Sequence, residues 1–253
     1  MEFGVTVGGS IARLEATGAA FEFAEFGLAE AADVPESIDD GRLRGTLREL
    51  ELAIDVHLPF KQVVATPVPE INEAIVAYQR RLLEWAGALG ARKAVLHGTV
   101  RDPHDLDQRS TVASQLSRIV AAGEERGVEV VVENVGHQPR GLQLSVLGEI
   151  AAEEDLPVCF DVGHAYMEDG NDGVERFLKR HGDLVSHLHV HDARSRGDTH
   201  IPIGAGEVDY GVVSERLDGF DGTVAVEVFT DDVDLLRDSA ARAAAALGAD
   251  RER

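Results

Sequence analysis

Residues 128–162, VEVVVENVGHQPRGLQLSVLGEIAAEEDLPVCFDV, carry one complete strand–helix–strand unit. An apolar, β-branched run over 128–135 predicts a strand, and it contains Glu133. A helix is predicted over 142–154. A second apolar run over 158–162 contains Asp161. Strands that alternate with helical patterns, with no run of hairpins, indicate parallel βαβ units.

The same unit recurs in both directions along the chain. Strand-like runs fall at 3–7, 21–26, 52–58, 93–97, 128–135, 158–162, 185–190 and 223–229. Helical patterns fall between them, at 11–18, 42–51, 70–89, 110–126, 142–154, 172–181, 210–217 and 231–247. The clearest is 70–89, where Ile71, Ala74, Ile75, Tyr78, Leu82, Leu83 and Ala86 follow the spacing of one helix face. Gly90 stands where a C-cap belongs, and Ser10 stands as N-cap of the helix at 11–18. Eight units close a (β/α)₈ TIM barrel, and 253 residues suit one such domain spanning 1–253. An open doubly wound sheet would need a glycine-rich phosphate turn after its first strand, and VGGS at 7–10 lacks that spacing. The polar end at 248–253 is expected to fray.

Composition narrows the function. Hydrophobic residues make up 44% of the chain, as in ordinary globular proteins. No apolar run approaches the roughly 18 residues of a membrane span. No signal peptide is read at the N-terminus, and the single Cys159 fits a cytoplasmic location. The net charge is -22, spread along the chain, and lysine is confined to Lys61, Lys93 and Lys179. Dispersed acid with so little lysine fits a halophilic protein, because high salt screens self-repulsion. No basic patch for a nucleic-acid backbone is visible, so nucleic acid is not the expected partner. A homo-oligomer is left open.

In such a barrel the chemistry sits where strands end. The third strand ends at His57 and the fourth at His97. The fifth carries Glu133, and the sixth leads into Asp161 and His164. The seventh reads HLHVHD, with His187, His189, His191 and Asp192; Asp198 and His200 follow in a loop, and the eighth strand carries Glu227. Each of these six strands thus delivers a side chain that binds metal through nitrogen or oxygen. Converging carboxylates repel one another and desolvate badly, so a divalent cation is their natural partner. Alternation puts the three strand-seven histidines on one face at different depths. His189 is the expected ligand, with His187 deeper and His191 behind it. Trp85 and Tyr78 read as packing residues. His104, His137 and His181 show no obvious partners. Arg140 or Arg194 could meet a substrate phosphate.

The series VHLPF, VLHG, VVENVG, FDVGHA, HLHVHDARSRGDTHIPIGAGEVDY and VAVEVF resembles the xylose isomerase-like TIM barrel superfamily. That superfamily holds sugar and sugar-phosphate isomerases and epimerases, together with endonuclease IV (AP endonuclease family 2). The resemblance covers roughly residues 50–230. For the isomerase branch it implies one divalent metal on Glu133, Asp161, His189 and Glu227, with His164 touching substrate. For the endonuclease branch it implies three zinc ions on His57, His97, Glu133, Asp161, His164, His189, Asp198, His200 and Glu227.

Two enzyme readings follow. The first is a metal-dependent isomerase or epimerase of a small sugar-type substrate, with Zn, Mn or Mg. Glu133 and Glu227 would move the proton and His164 would hold a substrate oxygen. The second is a zinc phosphodiesterase acting at abasic sites in DNA. The short loops read after the first, fifth, sixth and eighth strands (GGS, GHQPRG, MEDGND and TDD) favour the small substrate.

Overall fold

Eight parallel strands close a barrel in the computed structural model, which describes residues 1–195 and 197–249. The barrel strands are β1 (Glu2–Gly8), β2 (Phe23–Gly27), β3 (Ala53–His57), β4 (Lys93–His97), β5 (Glu129–Glu133), β6 (Val158–Asp161), β7 (Val185–Val190) and β10 (Thr223–Val226). Consecutive strands are neighbours, and β10 pairs with β1 to close the ring. The helices are α1 (Ile11–Thr17), α2 (Asp40–Glu49), α3 (Pro69–Leu89), α4 (Arg109–Glu124), α5 (Leu144–Glu154), α6 (Val162–His181), α7 (Tyr210–Arg216) and α8 (Val233–Ala246). The (β/α)₈ barrel expected from the strand count is the observed fold. Of the end expected to fray, residues 250–253 lie outside the described residues.

The strands are buried on both faces, as parallel strands are. Most of the apolar core fills the space between strands and helices. A small separate cluster of Val95, Val131 and Cys159 lies apart from it. Each of these three stands two residues before a candidate site residue: His97, Glu133 and Asp161. Side chains alternate along a strand, so those three point to the same side, at the C-terminal mouth. Lower down, the Phe23 ring presses on Gly4, where an added Cβ would come within 2.4 Å of it.

Local signals in the sequence act as expected. The Ser10 side chain accepts from Arg13 N at 3.2 Å. Gly90 ends α3 with φ 93°, a left-handed conformation suited to glycine. Exposed arginine–carboxylate pairs link neighbouring helices, among them Arg118–Glu73 at 2.7 Å and Arg109–Glu149 at 2.6 Å. They stand in solvent, where screening leaves such pairs little net effect on stability.

Two segments differ from expectation. Helix α6 begins at Val162, directly after β6, rather than near 172. Asp161 caps it by accepting from His164 N at 2.7 Å, so strand passes into helix without a loop. MEDGND therefore lies within α6, where Gly170 at φ 67° breaks the helical path. The segment after β7 is not a plain loop either. It contains an antiparallel hairpin, β8 (Asp192–Arg194) and β9 (Gly197–Ile201). Asp192 anchors this excursion: its carboxylate accepts from the backbone N–H groups of Ala193, Gly204, Gly206 and Val208 at 2.8–3.1 Å.

Candidate metal centre

Glu133 sits at the centre of the mouth, 1% exposed, and each of its oxygens faces imidazoles. Oε2 lies 3.0 Å from His97 Nε2 and 3.3 Å from His57 Nε2. Oε1 lies 3.2 Å from His164 Nδ1 and 3.5 Å from His189 Nδ1. Its neighbour Asn134 locks the ends of β5 and β6 together. The Asn134 amide donates to Asp161 O at 2.9 Å, and its oxygen accepts from Asp161 N at 2.7 Å. Asp161 Oδ1 also meets His191 Nε2 at 3.1 Å.

All nine expected positions meet at this mouth, in three groups of which two share Glu133. Glu133, Asp161, His189 and Glu227 form a tetrad whose ligand atoms lie within 4.8 Å of one another. His57, His97 and Glu133 form a second such group, and His164, His191, Asp198 and His200 a third. Asp198 Oδ1 lies 2.8 Å from His200 Nε2, and its Oδ2 lies 3.6 Å from His164 Nε2. His200 holds a left-handed backbone, φ 41°, unusual for a residue with a Cβ and costing strain. Its Nδ1–H donates to Glu227 O at 2.9 Å, tying the hairpin to the end of β10.

The donor set fits a divalent cation. Backbone carbonyls hold one ring nitrogen of several histidines: His57 Nδ1 on Leu58 O, His191 Nδ1 on Asp192 O, and His200 Nδ1 on Glu227 O. In the neutral ring the other nitrogen then carries a lone pair, and in each case it faces a carboxylate oxygen. Lone pairs facing anions call for a cation between them, a proton or a metal. Asp161 Oδ2, His189 Nδ1, His97 Nδ1 and His164 Nε2 are buried without a hydrogen bond among the described residues. Buried polar atoms left in this way mark functional sites.

Without metal, protons take that role. Burial opposes ionisation of Glu133, but the charges of His97 and His189, with hydrogen bonds from His164 and His189, hold its carboxyl well below the usual range. Burial would lower His57, yet the hydrogen bond and charge of Glu133 raise it to about 9. His164 and His189 are likewise raised well above the ordinary value against burial, His164 chiefly by Asp161. His97 goes the other way: burial outweighs Glu133 and lowers it. One imidazolium beside Glu133 Oε2 is enough, and a second would repel the first.

Two site residues escaped the sequence reading. His137, expected to lack partners, packs its ring against His164 with centroids 4.1 Å apart, and its Nε2 lies 3.4 Å from Asp198 Oδ2. Glu25 on β2 is 1% exposed and lies beneath the tetrad. Its signal was faint: FEFAEFG holds two carboxylates, and only alternation separates Glu25, on the face of Phe23, from the exposed Glu22. Of the two arginines considered for a phosphate, Arg194 donates to Ala205 O. Trp85 packs on the core and donates to Asp40 at 2.9 Å.

A family model described as xylose isomerase-like TIM barrel matches residues 11–250. Two uncharacterized proteins of Methanocaldococcus jannaschii are similar in sequence. One is 28% identical over 194 residues, 70% of this chain and 64% of that protein. The other is 25% identical over 209 residues, 80% of this chain and 81% of that protein. The chain thus spans less than two thirds of the first relative's length. Among solved structures, a D-tagatose 3-epimerase-like protein superposes with TM-score 0.77 at 23% identity, covering 98% of this chain and 97% of the other. A D-allulose 3-epimerase from Methylomonas sp., in complex with D-allulose, gives 0.74 at 18% identity over 96% and 95%. A Thermus thermophilus protein soaked with zinc chloride gives 0.73 at 27% identity over 99% and 100%.

Proposed function

The chain belongs to the xylose isomerase-like TIM barrel family, and from that premise we propose that it is a divalent-metal-dependent isomerase or epimerase of a small sugar-type substrate. One observation carries this reading. Glu133 and Glu227, two carboxylates able to exchange protons, meet in one tetrad with Asp161 and His189. Glu227 also lines a cavity of about 240 Å³, together with Thr6, Arg13, His57, Phe60 and Phe229. That volume suits a small ligand, below the range of drug-sized pockets. The D-allulose held by one structural relative is of that size class.

Glu133, Asp161, His189 and Glu227 would hold the metal. A divalent cation there supplies Lewis-acid polarisation of neighbouring carbonyl and hydroxyl oxygens. The residues do the rest. One of Glu133 and Glu227 takes the proton from the carbon beside the substrate carbonyl. The C–H electron pair moves toward the carbonyl oxygen, giving an enediolate. The other glutamate, entering the cycle as the neutral acid, gives its proton to the opposite face for epimerisation; for isomerisation the neighbouring carbon is protonated while the hydroxyl proton passes from one oxygen to the other. His164 donates to a substrate oxygen. Phe60 and Phe229, 46% and 66% exposed at the rim, offer apolar faces to the C–H side of a sugar.

A second reading has its own support. The His57–His97–Glu133 and His164–His191–Asp198–His200 groups exceed what one metal needs, and they suit a three-metal phosphodiesterase. Metal content per chain separates the two. Elemental mass spectrometry on protein purified without added metal should find about one divalent ion for the isomerase. About three zinc ions, with cleavage of abasic-site DNA and no sugar turnover, would replace it with the second reading.

A further inference from the structure

His189 is held differently from the other histidines of the mouth. The ring nitrogens of His57, His191 and His200 that face away from carboxylates rest on backbone carbonyls outside the barrel strands. His189 lies inside β7, where the carbonyls are used by neighbouring strands, so a side chain must do that work. Its Nε2 lies 3.1 Å from Glu25 Oε2. The same oxygen lies 3.2 Å from His187 Nε2. His187 Nδ1 in turn meets Thr223 Oγ1 at 2.6 Å. Glu25, His187 and His189 are all buried, and strands β2, β7 and β10 supply this chain of groups across the barrel floor.

Hydrogen-bond counting fixes the direction of every proton in it. An ionised carboxylate only accepts, so both Nε2 atoms must donate to Glu25. A neutral His187 then accepts at Nδ1 from the Thr223 hydroxyl. A neutral His189 is left with its lone pair on Nδ1. That atom has no hydrogen bond among the described residues, and it lies 3.1 Å from Glu227 Oε2, 3.5 Å from Glu133 Oε1 and 3.8 Å from Asp161 Oδ2.

We propose that Glu25 is the positioning residue of the metal centre: it fixes His189 as the Nε2–H tautomer and aims its Nδ1 lone pair at the Glu133–Asp161–Glu227 carboxylates. This rests on the reading of His189 as a metal ligand. The arrangement is a carboxylate–histidine–metal relay, in which the outer carboxylate orients the ring and raises its basicity. Glu25 also lines the cavity beside His57 and Glu227, but its bearing on the metal runs through His189. His187 and Thr223 keep the shared oxygen in place from below.

The test uses the full chain and zinc. Long-range ¹H–¹⁵N spectra of the zinc-loaded wild type should show His189 protonated at Nε2 with a metal-shifted Nδ1. An Nδ1–H tautomer overturns the proposal with no variant needed. Zinc affinity, measured by chelator competition, should fall about 10- to 100-fold in Glu25→Ala. Glu25→Gln keeps an accepting oxygen at that place and should recover most of the loss. Affinity in a folded Glu25→Ala within twofold of wild type also overturns it. His189→Ala is the control for the underlying reading: undiminished zinc affinity there removes His189 from the ligands, and the proposal falls with it. Weakened binding in His189→Ala beside unchanged binding in Glu25→Ala refutes the positioning role alone.

Discussion

His189 Nδ1 lies 3.1 Å from Glu227 Oε2, so a residue near the end of β7 and the first residue after the neighbouring β10 meet at the barrel mouth. Both carboxylates of the proposed proton exchange, Glu227 and Glu133, face that one nitrogen. Glu227 is the more accessible, at 17% against 1%. Glu227→Gln keeps the volume and removes the charge and the proton acceptor. We expect kcat to fall by about 10²–10⁴, with an unchanged far-ultraviolet circular dichroism spectrum. Full activity in this variant would refute the assignment.

The metal-free protein should show a distinct stability profile against pH. The pKa of His57 is raised to about 9 in the fold, since Glu133 outweighs burial. A raised histidine contributes stability that is complete below its unfolded value, about 6.5, and lost as pH rises through the folded value. Glu133 and Glu25 are depressed, because their histidine partners outweigh burial. Their contribution is present above the unfolded value, about 4.3, and lost as pH falls through the folded one. Calorimetry on chelator-treated protein should therefore find Tm highest between about pH 4.3 and 6.5, falling on both sides. Metal must displace the protons on these histidines, so binding at pH 7 should release protons into the buffer. A metal-free Tm that climbs steadily from pH 7 to 10 would contradict the ion-paired mouth.

Gly163 is a tight point in the same site. A Cβ there would lie 2.1 Å from His191 Cε1, and Nε2 of that ring holds Asp161 Oδ1. His191 cannot step aside freely, since its own carbonyl accepts from Tyr210 at 2.8 Å. Gly163→Ala should destabilise the fold by about 1–3 kcal/mol and weaken metal binding, read by denaturant unfolding and chelator competition. An unaltered metal affinity would show that Asp161 does not depend on His191.

Much of this was legible in the chain because strand ends are where the two periodicities meet. Glu133 and Asp161 are carboxylates closing apolar runs, a placement that surface residues seldom have, and the strand count supplied the common mouth. Glu25 was not legible in the same way. Its partner His189 stands 164 positions away, and the contact exists only because the barrel closes. His137 lies in a loop, where no periodicity says which way a side chain turns. The start of α6 was hidden because Asp161 serves both as strand end and as helix cap, so no turn residues punctuate the change. The β8–β9 hairpin was hidden behind the histidines and glycines of a segment that reads as loop.

The central claim is proton transfer at a carbon beside a carbonyl, carried out by Glu133 and Glu227. Its most direct measurement is proton NMR of ketoses, aldoses and their phosphates incubated in deuterium oxide with the protein and Mn²⁺, Mg²⁺ or Zn²⁺. We expect one sugar to gain deuterium at the carbon next to its carbonyl as its epimer or isomer forms, and Glu227→Gln to leave it unlabelled. Retention of every C–H bond in all sugars offered, by folded and metal-loaded protein, would contradict the account.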